Sequence, residues 1–269
     1  MSNLALRVAP PIGVIAGSRG PRLVERNVLQ SRRAWIVIVS GFFEPLFYLL
    51  GLGFGLGGLV GAVTGPDGTP IPYAVFVAPA LLASSAMNGA IYESTMNFFH
   101  KLKYQKLYET ILTTPLGVVD IAVGEVGWAL IRGTLYAAAF FVVMLVLGLL
   151  GSPWAILVVP AALLVGWAFA AVGMAATTYM RSWQDFDLVN LVTLPLFLFS
   201  GTFYPITAYP EPLRVVVEWT PLYQGVDLMR SLVTGHVGPW SLVHVAYFVA
   251  MGGLGLLVAS RRLDLLLRK

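Results

Sequence analysis

Long apolar stretches recur along the chain and alternate with short segments that carry most of the charge. Six stretches hold roughly the 20 apolar residues that a helix needs to cross a bilayer. They cover residues 34–60, 73–99, 117–150, 154–180, 186–204 and 240–259. The third is too long for one crossing, and Asp120 and Glu125 near its start indicate that it enters the hydrocarbon after Trp128. The pattern predicts an all-α polytopic membrane protein with six transmembrane helices.

The composition excludes a soluble protein. Hydrophobic residues make up 58% of the 269 residues and charged residues only 11%, with a mean hydropathy of +0.80. A soluble domain carries about 25% charged residues, so the surface of this chain must largely face lipid. Cysteine is absent, which excludes disulfides, thiolate catalysis and Cys-ligated metals. Soluble enzyme chemistry and nucleic-acid binding are not expected.

The distribution of basic residues predicts the orientation. Fourteen of the 17 Lys and Arg residues fall before the first span, between spans two and three, after span four, or after span six. These segments lie on one side of a six-span topology, and cytoplasmic loops carry the excess of Lys and Arg. Both termini are therefore predicted to be cytoplasmic. Residues 1–33 are predicted to form a retained cytoplasmic segment rather than a cleaved signal peptide, and residues 261–269 a basic tail.

Three segments outside the spans have helical patterns. Residues 21–33 predict an amphipathic helix on the inner surface, with Val24 and Val28 on one side; a solvated basic tail is the alternative. Residues 100–114 predict a one-faced helix that ends before Pro115 and either packs on its own bundle or docks a cytosolic partner. Within residues 205–239, two short helices over 213–219 and 221–234 are predicted to dip into the outer leaflet.

Motifs for chemistry are missing. The glycine-rich run at residues 51–58 lacks the Lys-Ser/Thr ending of a phosphate-binding loop, so we expect it to allow close helix packing or an unwound helix end. The histidines His100, His236 and His244 have no metal-ligand spacing, and His244 is interpreted as a helix-packing group. No nucleophile motif of a hydrolase is present. The chain is predicted to bind no metal or cofactor of its own and to be no enzyme.

Four of the ionisable residues within the apolar stretches are singled out here, because such groups are costly in a span and often functional. Glu44 stands just before Pro45 in the first stretch, and we interpret it as functional. Glu125 and Arg132 are seven residues apart on one helical face, which suggests that they pair. We interpret these two and Glu93 as structural or gating charges; snorkelling of Arg132 and an interfacial place for Glu93 are the alternative.

Several short sequence motifs are distinctive. They are Phe76–Met87 (FVAPALLASSAM), Tyr108–Leu116 (YETILTTPL), Pro195–Pro205 (PLFLFSGTFYP), and then Pro221-Leu222-Tyr223 and Asp227-Leu228-Met229-Arg230. Their order and the topology resemble the permease subunits of type-2 ABC exporters. The motifs are most similar to those of NodJ-type lipo-oligosaccharide exporters, and anthracycline-resistance permeases share much of the pattern. This family has an N-terminal connecting helix, six spans, a coupling region between spans two and three, and a re-entrant helix pair before span six.

The resemblance implies a half-transporter of the bacterial inner membrane. Two permeases, identical or different, would pair above two separate ATPase subunits that bind ATP and Mg²⁺. It implies ATPase contacts by the N-terminal helix and by residues of the coupling region: Gln105, Lys106, Tyr108, Glu109, Thr110 and Thr113. It implies an amphiphile, entering from the inner leaflet, on a path between the two copies. Candidate path residues are Glu44, Phe47, Tyr48 and Phe199.

Other functions stay open at this point. A hydrophobic-drug efflux permease has the same pattern. Only the similarity of the sequence motifs favours a lipo-oligosaccharide or glycolipid as the transported substrate. An ion-coupled carrier would use Glu44 and Glu93 as its motive charges, although no internal repeat supports it. A lipid-modifying membrane enzyme would need convergent polar groups at one membrane face, and the candidates are scattered.

Overall fold

A computed structural model of the chain describes residues 19–31, 43–65 and 68–267. The lead-in before Arg19, the predicted start of the first span at residues 34–42, and the last two residues of the basic tail lie outside the described residues. The helices are α1 (Gly20–Ser31), α2 (Phe43–Val60), α3 (Tyr73–Tyr104), α4 (Leu107–Ile111), α5 (Val118–Val146), α6 (Pro153–Thr177), α7 (Phe186–Phe199), α8 (Glu211–Glu218), α9 (Pro221–Thr234) and α10 (Pro239–Leu267).

Within these ranges, five helices are long and apolar enough to cross a membrane: α2, α3, α5, α6 and α10. The all-α fold is therefore confirmed. The predicted fifth span at residues 186–204 contains α7, a helix of only 14 residues. At 1.5 Å per residue this helix is about 21 Å long, which is short of the ~30 Å hydrocarbon core. The helix ends at Phe199 because the chain turns at Gly201, whose φ is 68°.

Helices α3 and α6 form the centre of the bundle. Their most apolar windows are 67% and 56% buried, against 17% for α2, 22% for α5 and 28% for α10. Small residues let α10 approach α6 closely, as is common between transmembrane helices. A Cβ built on Gly252 would lie 2.3 Å from the Trp167 ring, and one on Gly255 would lie 2.8 Å from the Val172 backbone nitrogen. These glycines are therefore required by the packing.

A two-stranded antiparallel hairpin joins α2 to α3. Strand β1 (Ala62–Thr64) pairs with β2 (Pro70–Pro72), with Ala62 opposite Pro72. The sequence analysis did not predict this hairpin. The turn signal was present in the Gly and Pro residues of segment 65–72, but the strands are too short to show an alternating pattern.

The basic segments meet at one end of the bundle. The guanidinium of Arg262 at the end of α10 lies 4.2 Å from the centre of the Tyr179 ring, just after α6. The ring of Trp183 stacks on that of Tyr104, at the end of α3, with centroids 5.5 Å apart. The hairpin, α8 and α9 lie at the other end, where Tyr73 Oη donates to the Phe203 carbonyl at 2.9 Å. This segregation agrees with the charge pattern in the sequence.

The two short helices predicted before the last span are confirmed as α8 and α9. Gly235 ends α9 with a φ of 88°, the left-handed cap that the sequence indicated. Helix α9 is tied to the bundle by the buried Arg230, which donates to the Gly201 carbonyl at 2.9 Å and lies 3.8 Å from the centre of the Phe76 ring. His244 on α10 bonds to Gln224 and, at 3.0 Å, to Asp227 of α9, which fits its interpretation as a packing group.

Candidate functional site

A cavity of about 780 Å³ opens between α2, α3, α5 and α7. Apolar residues such as Leu81 and Phe197 form part of its wall. The polar groups of its lining are Glu44, Tyr48, Ser84, Ser85, Asn88, Tyr92, Glu93, Thr95, Arg132, Tyr136, Asn190 and Thr193. A lining of this mixed kind suits a ligand that combines polar groups with apolar surface. We refer to this feature as the polar cavity.

An ion pair between Glu93 on α3 and Arg132 on α5 forms one wall of the polar cavity. The side chains are 6% and 19% exposed. Asn97 Nδ2 donates to Glu93 Oε2 at 2.8 Å, and Arg132 Nη2 donates to Tyr136 Oη at 3.1 Å. These additional hydrogen bonds help offset the cost of burying the two charges. Glu93 is thus part of a buried network, unlike the interfacial alternative.

Glu125 and Arg132 do not pair with each other, which corrects the interpretation from their spacing. Seven residues on a helix span about 10.5 Å along its axis, too far for direct contact. Each charge instead finds a partner on α3: Lys101 Nζ lies 2.6 Å from Glu125 Oε2, while Arg132 pairs with Glu93. Two ion pairs of opposite polarity therefore connect the antiparallel helices α3 and α5.

The structure brings together two of the four predicted path residues. Glu44 and Tyr48, one turn apart on α2, both line the polar cavity. Phe47 is 65% exposed and stacks on Phe43, and Phe199 is 42% exposed beside Tyr209; neither belongs to the lining of this cavity. The different placement of Phe47 follows from helix geometry, since adjacent positions point about 100° apart.

Sequence reasoning missed eight of the twelve polar residues of this lining, among them Asn88, Asn190 and Tyr136. Asn88 and Asn190 stand inside apolar runs, and Tyr136 is one turn after Arg132. A polar residue within a span was the available signal for the two asparagines. Tyr136 carried no signal of its own, because tyrosine is common near membrane surfaces.

The predicted coupling helix over residues 100–114 is broken. Residues His100–Tyr104 continue α3, and the separate helix α4 covers only Leu107–Ile111. The break lies at Lys106, which has a φ of 49° and is the one non-glycine residue with positive φ in the described ranges. Gln105, Lys106, Glu109, Thr110 and Thr113 are exposed on the outside of this segment. We call these five residues the coupling surface.

Tyr108 differs from the five residues of the coupling surface. Its side chain is fully buried, and its ring centre lies 5.1 Å from that of Phe98. Tyr108 therefore anchors α4 to the bundle rather than offering its side chain to a partner. Burial raises the pKa of the Tyr108 hydroxyl well above its usual value, and the nearby Glu125 carboxylate raises this pKa further.

Helix α1 packs along the start of α5, directly beside α4. Leu23 is buried in this contact, and a Cβ built on Gly124 would lie 2.7 Å from Leu23 Cβ. Asp120 Oδ1 accepts the backbone N–H of Arg19 at 2.5 Å. A helix is therefore present where the amphipathic helix was predicted, but its buried positions are Leu23 and Asn27, while Val24 and Val28 are only partly buried. Helices α1 and α4 form one continuous end of the protein.

The described residues contain no group of three or more His, Asp or Glu side chains placed to hold a metal ion. The glycine-rich run at 51–58 is helical and belongs to α2, with a π-helical segment over Leu49–Leu56. Gly53 packs beside Ala74, where a Cβ would come within 3.7 Å of the Ala74 Cα. The close packing expected of this run is therefore present at Gly53.

The sequence is similar to one protein family and to several bacterial proteins. The model of the ABC-2 type transporter family matches residues 22–234. Nodulation protein J of Rhizobium leguminosarum bv. trifolii is 34% identical over 215 residues, which are 78% of this chain and 79% of that protein. Nodulation protein J of Rhizobium meliloti is 31% identical over 228 residues, 83% of each chain. The inner membrane transport permease YadH of Escherichia coli is 24% identical over 216 residues, 77% of this chain and 76% of that protein.

Proposed function

The chain belongs to the ABC-2 type transporter family, and from that premise we propose that it is the permease subunit of an ATP-driven exporter of an amphiphile. It is a multi-pass protein of the bacterial inner membrane and a membrane subunit of a transport system. The observation that carries the proposal is the polar cavity, in which a buried ion pair and several hydroxyl and amide groups lie between helices long enough to span the bilayer.

In the proposed topology α7 and the turn after it form the fifth of six crossings, with α8 and α9 in the outer leaflet. Both termini are cytoplasmic, which agrees with the basic residues gathered at one end of the bundle. Because α7 is only about 21 Å long, the residues after Phe199 complete the crossing. The external end then holds Arg230, Asp227 and His244, which fasten α9 to the spans.

ATP and Mg²⁺ are bound by a separate cytosolic ATPase, present in two copies beneath two permeases. The coupling surface and helix α1 are the proposed contact. Glu109 and Lys106 supply opposite charges there, and both side chains are exposed. Movement of the ATPases reaches α3 and α5 directly, because Tyr108 of α4 is packed against Phe98 of α3 and lies near Glu125 of α5.

Lipo-oligosaccharide or glycolipid is the proposed cargo, following the similarity to Nodulation protein J and the resemblance to NodJ-type exporters. The mixed lining of the polar cavity supports a cargo with both sugar-like polar groups and apolar surface. Glu44, Tyr48 and the Glu93–Arg132 pair are the proposed contacts on this path. A purely apolar drug would offer no polar partner to Glu44 and Tyr48, which is costly.

Co-purification of an ATPase with the tagged permease from mild detergent tests the proposal. We expect wild type to retain the ATPase and Glu109→Arg, on the coupling surface, to lose it. Glu211→Arg reverses an exposed charge on α8, at the opposite end, and serves as the matched control that retains the ATPase. Failure of a folded wild-type permease to bind any ATPase would contradict the proposal.

A further inference from the structure

A second cavity of about 650 Å³ lies next to the polar cavity, between α3, α6 and α7, and Met251 of α10 also lines it. Its wall is mostly apolar and includes Phe169, Val172, Leu188, Val192, Leu196 and Met251. We call it the apolar groove. We propose that it holds one acyl chain of an anionic phospholipid, with the lipid phosphate at Arg181 and Arg262. The proposal rests on the membrane orientation given under the proposed function.

The length of the apolar groove matches one leaflet. Its lining runs along α7 from Asp185 to Leu196. These 11 steps cover about 16 Å at 1.5 Å per residue. Half of the ~30 Å hydrocarbon core is about 15 Å, which is the depth that one acyl chain fills. An acyl chain in the groove makes van der Waals contacts with apolar side chains that no other described residue covers.

The mouth of the apolar groove carries positive charge. Arg181 and Tyr179 belong to the lining, and the guanidinium of Arg262 stacks on Tyr179 at 4.2 Å. The Arg262 side chain is partly exposed. A planar guanidinium presents N–H donors that match the oxygens of a phosphate group. Basic pockets between spans on the cytoplasmic side are a recurrent type of site for anionic lipid headgroups.

One carboxylate also lies at the mouth, but it is already engaged. Asp185 Oδ2 accepts the backbone N–H groups of Arg181 at 2.6 Å and Ser182 at 3.1 Å. These two hydrogen bonds lower the pKa of Asp185, so it is ionised at neutral pH. Arg181 of the lining and Arg262 on Tyr179 place two guanidinium groups at the mouth, which favours an anionic headgroup over a zwitterionic one.

The bound acyl chain would pack against α7 and stabilise its position. Phe186 is the one buried residue among the fourteen of this helix, so α7 has little packing of its own. Ile91, Thr95, Val189 and Thr193 line both the apolar groove and the polar cavity. An occupant of the groove therefore fixes the position of the wall that α7 gives to the polar cavity.

Native mass spectrometry of the permease from nanodiscs of phosphatidylcholine with a minor fraction of phosphatidylglycerol tests this inference. We expect wild type to retain one phosphatidylglycerol per chain. Val192→Trp fills the groove and should reduce retention at least tenfold, whereas Val249→Trp is the same change at an exposed α10 position outside the groove. Arg181→Gln with Arg262→Gln should abolish the preference for phosphatidylglycerol, and Arg261→Gln should keep it.

Three outcomes would overturn the inference. The first is retention unchanged by Val192→Trp in a monodisperse protein. The second is equal retention of phosphatidylcholine and phosphatidylglycerol by wild type. The third is a dimer that carries no lipid, which would mean that a second copy covers the groove. Co-purification of the ATPase is measured on the same variants, so that a failure of this inference is distinguished from a failure of the proposed function.

Discussion

Lys101 and Glu125 form a largely buried ion pair between α3 and α5, with the charges in the opposite order from Glu93 and Arg132 about two turns away. On α3 the acid precedes the base by eight residues, and on α5 the acid precedes the base by seven. In antiparallel helices this order places each acid opposite a base in one register only. The two pairs thus fix how α3 and α5 are aligned, and with them one wall of the polar cavity.

The first prediction concerns this alignment. Glu93→Gln or Arg132→Gln leaves one buried charge without its partner, which typically costs about 3–5 kcal/mol. We expect each single change to lower the thermal unfolding midpoint in detergent. Exchange of the two residues, Glu93→Arg with Arg132→Glu, should recover a large part of the loss.

The pair Arg214–Glu218 on α8 is the control for this experiment. Its side chains are 47% and 36% exposed, so loss of the pair should leave the midpoint nearly unchanged. An exchange variant as unstable as the single changes would mean that the pair does not set the alignment of α3 and α5.

A second prediction separates the anchor of α4 from the coupling surface. Tyr108→Ala removes a fully buried aromatic ring and should cost about 3–5 kcal/mol of unfolding free energy. Tyr108→Phe keeps the ring and removes only the hydroxyl that lies near the Glu125 carboxylate, so it should retain most of the stability and the ATPase binding. Chemical unfolding measures the first effect, and co-purification measures the second. Loss of the ATPase in a stable Tyr108→Phe permease would instead give the hydroxyl a direct part in coupling.

The third prediction tests the docking of α1. A methyl group at Gly124 would come within 2.7 Å of Leu23 Cβ, so Gly124→Ala should push α1 away from α5. The matched control is Gly133→Ala on the same helix, where a Cβ would meet nothing within 4 Å. Limited proteolysis at Arg22 and Arg26 should be several-fold faster in Gly124→Ala only. Equal rates in the two variants would show that this contact does not hold α1.

A fourth prediction uses two neighbouring glycines on α10. Gly252→Ala would place a methyl group 2.3 Å from the Trp167 ring, and such overpacking usually costs about 1–3 kcal/mol. Gly253→Ala meets nothing within 4 Å and adds the better helix former, so its stability should stay equal or rise slightly. Thermal unfolding of the two variants side by side measures the difference. A destabilised Gly253→Ala with a normal Gly252→Ala would contradict the packing of α6 against α10.

The long helices and the segregation of charge between their ends could be predicted because both depend on the local amino-acid sequence. Apolar runs mark the spans, and Gly235 marks the end of α9. The partners of Glu125 and Arg132 could not be predicted, since they depend on the register between α3 and α5. The break at Lys106 was hidden for another reason: a lysine gives no signal for positive φ, which only the tertiary contacts around it impose.

The polar cavity was predicted in part. Glu44 and Tyr48 could be found from one charge beside a proline and the helical spacing. Asn190 was missed because α7 carries apolar residues on almost every side, so the face toward the cavity has no distinct pattern. The length of α7 was overestimated because the predicted span included Phe203 and Tyr204, beyond Ser200, Gly201 and Thr202, although the helix stops at Phe199.

The most direct test of the account is uptake of a labelled lipo-oligosaccharide into inside-out vesicles that contain the permease and its ATPase. We predict that uptake requires hydrolysable ATP and persists with an ionophore. Asn190→Trp, which fills the polar cavity, should abolish uptake, whereas the control variant Val249→Trp should transport normally. Uptake that collapses with the ionophore while ATP is retained would contradict this account and favour an ion-coupled carrier.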